Sequence, residues 1–315
     1  MTVAFTFPGQ GSQAVGMGKA LAENFFEAEA VFQAVDDALG EKLSDTIFDG
    51  PLDRLTLTEN AQPALMAVSL ATIRVLEARG VRLREKAAFV AGHSLGEYSA
   101  LAAAGAFTIA DAARLLRTRG LAMQKAVPVG VGAMAALLGL EFAAAAAVAA
   151  EAAQGQVCQA ANDNGGGQVV VSGDKAAVER AVEIAKGKGA KRAMLLPVSA
   201  PFHCALMQPA AAAMAEALAK VSVMPPVVPV VANVLAKPIQ DPAQIVDALV
   251  KQVTGTVRWR ECIAAMAAAG VTKFVEVGAG KVLSGLIKRI ADGATTGAVG
   301  TPEDIAAYKA ARGNS

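Results

Sequence analysis

Histidine is scarce in this chain: His93 and His203 are the only two among 315 residues. Cysteine is nearly as rare, and Cys158, Cys204 and Cys262 stand far apart with no CxxC spacing. Neither a disulfide framework nor a zinc site follows from such a set; no metal is expected, and the three thiols read as small buried hydrophobes. Charged residues are few, at 18% against 54% hydrophobic, which argues against disorder and for a large buried core. The formal net charge of +1 gives no excess of one sign to attract nucleic acid or an anionic membrane, so neither is an expected partner. Residues 1–8 lack the basic start and long apolar run of a secretory signal, and a cytoplasmic location is expected. The apolar stretch from Gly132 to Ala153 is interrupted by Gly139 and Glu141 and ends mostly in alanine, so it reads as a strand and a helix rather than a membrane span.

What is present is an alternation of strands and helices. At this length one large domain carrying a smaller insertion is the expected organisation. Strands are predicted at 3–7, 87–91, 227–232 and 272–277, and helices at 17–39, 62–79, 95–104, 109–125, 204–220 and 242–253. Thr108 with Asp111, and Asp241 before Pro242, mark two helix starts, and Gly80 one helix end. Alternation of this kind predicts an α/β fold with a mainly parallel sheet covered on both faces. Between 130 and 198 the rhythm becomes strand 133–139, helix 141–153, strand 156–161, strand 167–172, helix 174–188, strand 191–197. That βαββαβ order is ferredoxin-like, and it predicts a small domain at 130–198 inserted in a large domain of 1–129 and 199–315, with a ligand cleft between them.

The strongest chemical signal is Phe89-Val90-Ala91-Gly92-His93-Ser94-Leu95-Gly96-Glu97-Tyr98. A strand, Gly-x-Ser-x-Gly and a helix together mount a serine on a sharp turn, its hydroxyl exposed and the helix N-terminus facing the reacting atoms. Ser94 is the candidate nucleophile. It needs a base, and imidazole suits neutral pH. His93 sits in the tight turn itself and reads as a packing residue, whereas His203 lies where the inserted unit returns to the large one, at the cleft. Asp163, Asp174 and Glu179 all fall in the insertion, so no acid completes a triad. A Ser94–His203 dyad is expected, its ring oriented by a backbone carbonyl or an amide side chain, with Gln252 or Asn233 as candidates. The backbone amides of Leu95 and Gln10 are candidate donors to an oxyanion.

Phe7-Pro8-Gly9-Gln10-Gly11-Ser12-Gln13, the serine motif, Arg119-Gly120 followed by Met123-Gln124, Pro201-Phe202-His203 and Glu276-Val277-Gly278-Ala279-Gly280-Lys281-Val282-Leu283 together resemble the malonyl-CoA:acyl carrier protein transacylases, in the family's order and over nearly the whole chain. The resemblance implies an α/β-hydrolase-like core with a ferredoxin-like insertion. It implies Ser94 as acyl nucleophile, His203 as base, Gln10 and Leu95 as the oxyanion hole, Gln252 near His203, and Arg119 as partner of the malonyl carboxylate. Spacing alone does not choose Arg119 over Arg114 and Arg117; the resemblance does. Phe202 beside the base would crowd a branched acyl group, favouring malonyl over methylmalonyl by about 1 to 3 kcal/mol.

The implied partners are malonyl-CoA and acyl carrier protein, the implied reaction a ping-pong transfer for fatty acid synthesis without cofactor, and the expected state a monomer. Lys186, Lys188, Lys191 and Arg192 form a basic run that reads equally as a carrier-docking surface or a solvated face, and Lys281, Lys288 and Arg289 form a second patch. Gly278-Ala279-Gly280-Lys281 lacks the spacing of a phosphate loop and reads as a strand-to-helix turn. Competing readings are the same transfer in a polyketide pathway or a malonate decarboxylase assembly, a serine thioesterase or esterase, and a docking subunit with an inactive site.

Overall fold

The computed structural model describes residues 2–313 and contains two sheets. The larger has six strands in the order β10-β9-β1-β2-β7-β8: β1 Val3–Phe7, β2 Phe89–Gly92, β7 Val230–Ala232, β8 Lys237–Ile239, β9 Lys273–Val277 and β10 Thr295–Val299. All neighbours run parallel except β7 and β8. The central strands β1 and β2 are largely apolar because helices cover both faces. Val3, Phe5 and Phe7 of β1 belong to one core, with Val275 and Val277 of β9, while Ala4 lies in a second with Ala91 and Phe274.

The smaller sheet is antiparallel, in the order β4-β5-β3-β6: β3 Gly132–Leu138, β4 Cys158–Asp163, β5 Gln168–Asp174 and β6 Arg192–Leu195. The helices Phe142–Ala153 and Lys175–Gly187 connect it in the predicted βαββαβ sequence. Period-two alternation divides its faces. Ala135, Leu137, Val169 and Val171 pack on those two helices, whose alanines and valines allow close approach, while Met134 and Val170 turn to a cavity shared with the large sheet.

Several predicted boundaries move. The helix expected at 17–39 is broken at Phe25, whose backbone is extended, into Lys19–Asn24 and Phe26–Leu39. The helix expected from 62 begins at Thr58 and holds Pro63 in its second turn. The segment 204–220 opens with a 3-10 turn, Ala205–Met207, before the helix Gln208–Leu218. Two edge strands escaped prediction for physical reasons: β8 is three residues long and contains Pro238, and β10 is only partly buried, so neither shows a clean apolar run. No helix among the described residues is long and apolar enough to cross a membrane.

The turn after β2 is set by contact. A Cβ on Gly92 would lie 1.8 Å from the carbonyl carbon and oxygen of Gly96, and one on Gly96 would lie 2.3 Å from the Phe7 oxygen. These obstacles are backbone and cannot rotate aside. Gly92→Ala is therefore expected to lower stability by about 3 kcal/mol or more, read as a lower midpoint in denaturant unfolding; an unchanged midpoint would mean that the strand and helix separate freely.

Candidate active site

Ser94 occupies the turn with φ 54°, a left-handed conformation that L-residues rarely adopt. Its neighbours over-determine it. The Ser94 N–H donates to Asn233 Oδ1 at 2.8 Å, Asn233 Nδ2 donates to the Gly92 carbonyl at 2.8 Å, and Gln252 Nε2 donates to the Ser94 carbonyl at 2.9 Å. With its backbone pinned on both sides, the serine projects its hydroxyl into a cavity of about 450 Å³ between the two sheets.

The hydroxyl meets His203 Nε2 at 2.8 Å, and His203 Nδ1 lies 2.8 Å from the Gln252 carbonyl. A carbonyl only accepts, so the proton sits on Nδ1 and Nε2 carries the lone pair that receives the serine proton. Gln252 is in the last turn of the helix Pro242–Thr254, where carbonyls have no intrahelical donor, and its oxygen is free for this bond. Burial, reinforced by the charge of Arg119, pulls the His203 pKa down to about 3. The ring is neutral at physiological pH, so its Nε2 lone pair is unprotonated where it meets the hydroxyl.

Arg119 is 1% exposed. Its helix, Ile109–Ala126, approaches the helix Thr58–Ala78 closely at Gly120, where a Cβ would come within 2.5 Å of Glu59 Cα. This approach puts Arg119 Nη1 2.8 Å from Gln62 Oε1, while Nη2 donates to Gln252 Oε1 at 2.8 Å and to Ser94 Oγ at 3.1 Å. The guanidinium thus meets only neutral oxygens, and its Nε has no partner among the described residues. A buried cation without a bonded carboxylate, opening on a cavity, can receive an anionic group.

Leu95 heads its helix, so its N–H has no intrahelical acceptor, and the N–H of Gln10 finds none among the described residues. Both residues line the cavity beside Ser94. Phe202 lines it too, with Met123, Met134, Val170 and Leu196 forming an apolar wall.

Of the two candidates for orienting the base, Gln252 does so through its backbone. Asn233 does not: its side chain binds the Ser94 turn and makes no hydrogen bond to His203, because the short strand β7 ends opposite the serine elbow rather than the histidine. Asp163 pairs with Arg260 and Asp174 receives the Val157 N–H, so neither serves the dyad. His93 makes no hydrogen bond to Ser94 Oγ among the described residues: it bonds Asn164 at 2.9 Å and lies edge-on to Trp259, and both His93 and Asn164 line the cavity. In the basic run, Lys186 and Lys188 are paired with Glu183 and Glu151.

Two buried polar residues went unnoticed in the sequence. Gln62 is one, and only its distance from Arg119 in the chain hid it. The other is Glu97, within the serine motif itself, whose Oε2 accepts from Gln252 Nε2 at 2.8 Å and from the Asn233 N–H at 3.1 Å. Burial pushes its carboxyl up to about 7, and those two hydrogen bonds and the charge of Arg119 restrain the rise.

A family model described as an acyl transferase domain matches residues 4–301. The chain is 48% identical over 304 residues to a protein of Salmonella typhimurium named malonyl CoA-acyl carrier protein transacylase, covering 96% of this chain and 97% of that one. The crystal structure of an acyl-carrier-protein S-malonyltransferase from Bartonella henselae superposes with a TM-score of 0.97 at 60% identity, over 99% of this chain and 100% of the other. A malonyl-transacylase solved in complex with a type II polyketide acyl-carrier protein superposes with a TM-score of 0.94 at 43% identity, covering 97% and 98%.

Proposed function

The chain belongs to the acyl transferase family of malonyl-CoA:acyl carrier protein transacylases, and from that membership we propose how its own residues carry the malonyl group from coenzyme A to the carrier thiol for fatty acid synthesis. The observation that carries this reading is Arg119, a buried guanidinium bonded only to neutral oxygens in the same cavity as the Ser94–His203 pair. It supplies the cation that a carboxylate-bearing acyl group requires.

Ser94 Oγ attacks the thioester carbonyl of malonyl-CoA as His203 Nε2 takes its proton. The resulting oxyanion is received by the free N–H groups of Leu95 and Gln10. Collapse expels the CoA sulfur, which recovers the proton from the imidazolium, and leaves a malonyl ester on Ser94. The phosphopantetheine thiol of the carrier then gives its proton to His203 and attacks that ester, and the serine leaves as its hydroxyl. Proton and acyl balances close within these groups, so the reading calls for no metal or redox cofactor. Phe202 narrows the cavity beside His203 and supports a preference for malonyl over methylmalonyl.

We also read residues 1–129 and 199–315 as an α/β-hydrolase-like domain and 130–198 as a ferredoxin-like insertion. The crossover order of the large sheet supports the first, and the βαββαβ connection with order β4-β5-β3-β6 supports the second. A monomer working in the cytoplasm, with malonyl-CoA and acyl carrier protein as partners, fits a cleft built from one chain. The neighbour bound to a polyketide carrier favours one second reading, delivery to that class of carrier.

Incubation with malonyl-CoA and purified holo carrier protein, followed by intact-mass detection, is expected to show malonyl on the protein alone and its passage to the carrier once added. Discharge to water as fast as to the carrier thiol would replace the transferase by a thioesterase.

A further inference from the structure

We propose that Glu97 is a positioning residue for malonyl recognition, acting on Arg119 through the side chain of Gln252. This rests on the transacylase reading and extends it to a carboxylate that bonds neither substrate nor the Ser94 hydroxyl, although the Glu97 backbone N–H donates to the Ser94 carbonyl at 3.0 Å. Glu97 is 1% exposed, in the first turn of the helix Leu95–Ala103. It lies beneath the serine elbow, and both hydrogen bonds found for it arrive at Oε2, from the Gln252 amide and the Asn233 N–H.

A side-chain amide has a donor end and an acceptor end, and its neighbours decide which way it faces. The donor end of Gln252 meets three acceptors, Glu97 Oε2 at 2.8 Å, the Ser94 carbonyl at 2.9 Å and, at 3.4 Å, Asn233 Oδ1; the bond to the carboxylate is the shortest and the one that carries charge. That leaves Oε1 for Arg119 Nη2, at 2.8 Å. Turned by half a rotation, the amide would set its hydrogens against the guanidinium and its oxygen against the carboxylate, leaving buried groups unpaired on both sides. Glu97 opposes that rotation, and so Arg119 finds an acceptor on one flank and Gln62 on the other. Held between them, Nη2 is kept near Ser94 Oγ, where the carboxylate end of the acyl group must be gripped for the thioester carbonyl to reach the hydroxyl.

The chain of contact predicts a selective loss. An acetyl group has no carboxylate and does not use Arg119, so displacing the guanidinium harms malonyl transfer while sparing acetyl transfer. A residue that merely supported the elbow would lower both alike.

The test measures kcat/KM of Ser94 acylation by malonyl-CoA and by acetyl-CoA in wild type, Glu97→Ala, Glu97→Gln, Gln252→Ala and the Glu97→Ala/Gln252→Ala double variant. Glu97→Ala is expected to lower the malonyl value by about 10- to 100-fold, the loss that follows from one unpaired buried donor, and the acetyl value by less than about threefold. Glu97→Gln, which keeps an acceptor oxygen at the same place, recovers most of the malonyl loss. The double variant falls no further than Gln252→Ala alone, because two residues acting along one path are not additive. Should Glu97→Ala not fold, Glu97→Asp keeps the charge but withdraws the oxygen by one methylene and is read by the same malonyl-to-acetyl ratio. Equal losses for both donors, an unchanged ratio in the Asp variant, or additive losses in the double variant would overturn the proposal. A wild-type protein that accepts no malonyl group at all would instead overturn the transacylase reading beneath it.

Discussion

Replacing Ser94 with alanine is expected to abolish the covalent malonyl-protein and to slow transfer to the carrier by about 10⁴-fold or more, since nucleophile, base and donors act as a unit. The cysteines do not stand ready to take its place. The three thiols are buried, and burial raises them all, Cys158 to about 11 and Cys262 well above the ordinary value, so none offers a thiolate at neutral pH. The cavity and the two free N–H groups remain in the variant, which keeps binding malonyl-CoA while losing chemistry. Intact-mass measurement after incubation with malonyl-CoA decides the matter: an added malonyl group persisting on Ser94→Ala would put the nucleophile elsewhere.

For Arg119→Ala the expected result is a reversal of donor preference. Malonyl transfer falls by about 10²- to 10³-fold, as for truncation of one partner in a buried charge-assisted pair. Acetyl transfer is unchanged or rises, because an apolar pocket no longer holds an unpaired cation beside a small neutral acyl group. Arg119→Lys is expected to recover little: an ammonium cannot reproduce the fork that holds Gln62, Gln252 and Ser94 at once. Competition between labelled malonyl-CoA and acetyl-CoA checks both variants, and a malonyl preference retained by Arg119→Ala would remove the clamp.

The parts of the site that were legible in sequence are those fixed by local rules. Gly92, Ser94 and Gly96 announce an elbow because only that residue pattern passes the backbone contacts seen there, and His203 stood out through the scarcity of histidine. The βαββαβ order is legible because its helices and the strands β3 to β5 are long enough to show their periods, and only the four-residue β6 is shorter than the segment 191–197 suggests. What stayed hidden depends on the register between distant segments. Asn233 was a candidate for steadying the base, yet one strand end decides that it faces Ser94 instead. Glu97 and Gln62 carry no spacing signal at all: Gln62 becomes meaningful only when the helix Thr58–Ala78 packs on Ile109–Ala126, and Glu97 only when the helix Leu95–Ala103 meets the end of Pro242–Thr254. The edge strands β8 and β10 were missed because a sheet margin, wet on one side, has no uninterrupted hydrophobic stretch to betray it.

The group that steadies the imidazole is a peptide oxygen at Gln252. Any amino acid placed at that position brings the same oxygen with it, so a point substitution there strips away the side-chain amide but never the proton acceptor behind the base. In a serine enzyme that relies on an aspartate for this task, a single codon change can silence the catalyst; here the equivalent contact is written into the polymer itself, and only a shift of the helix end could erase it.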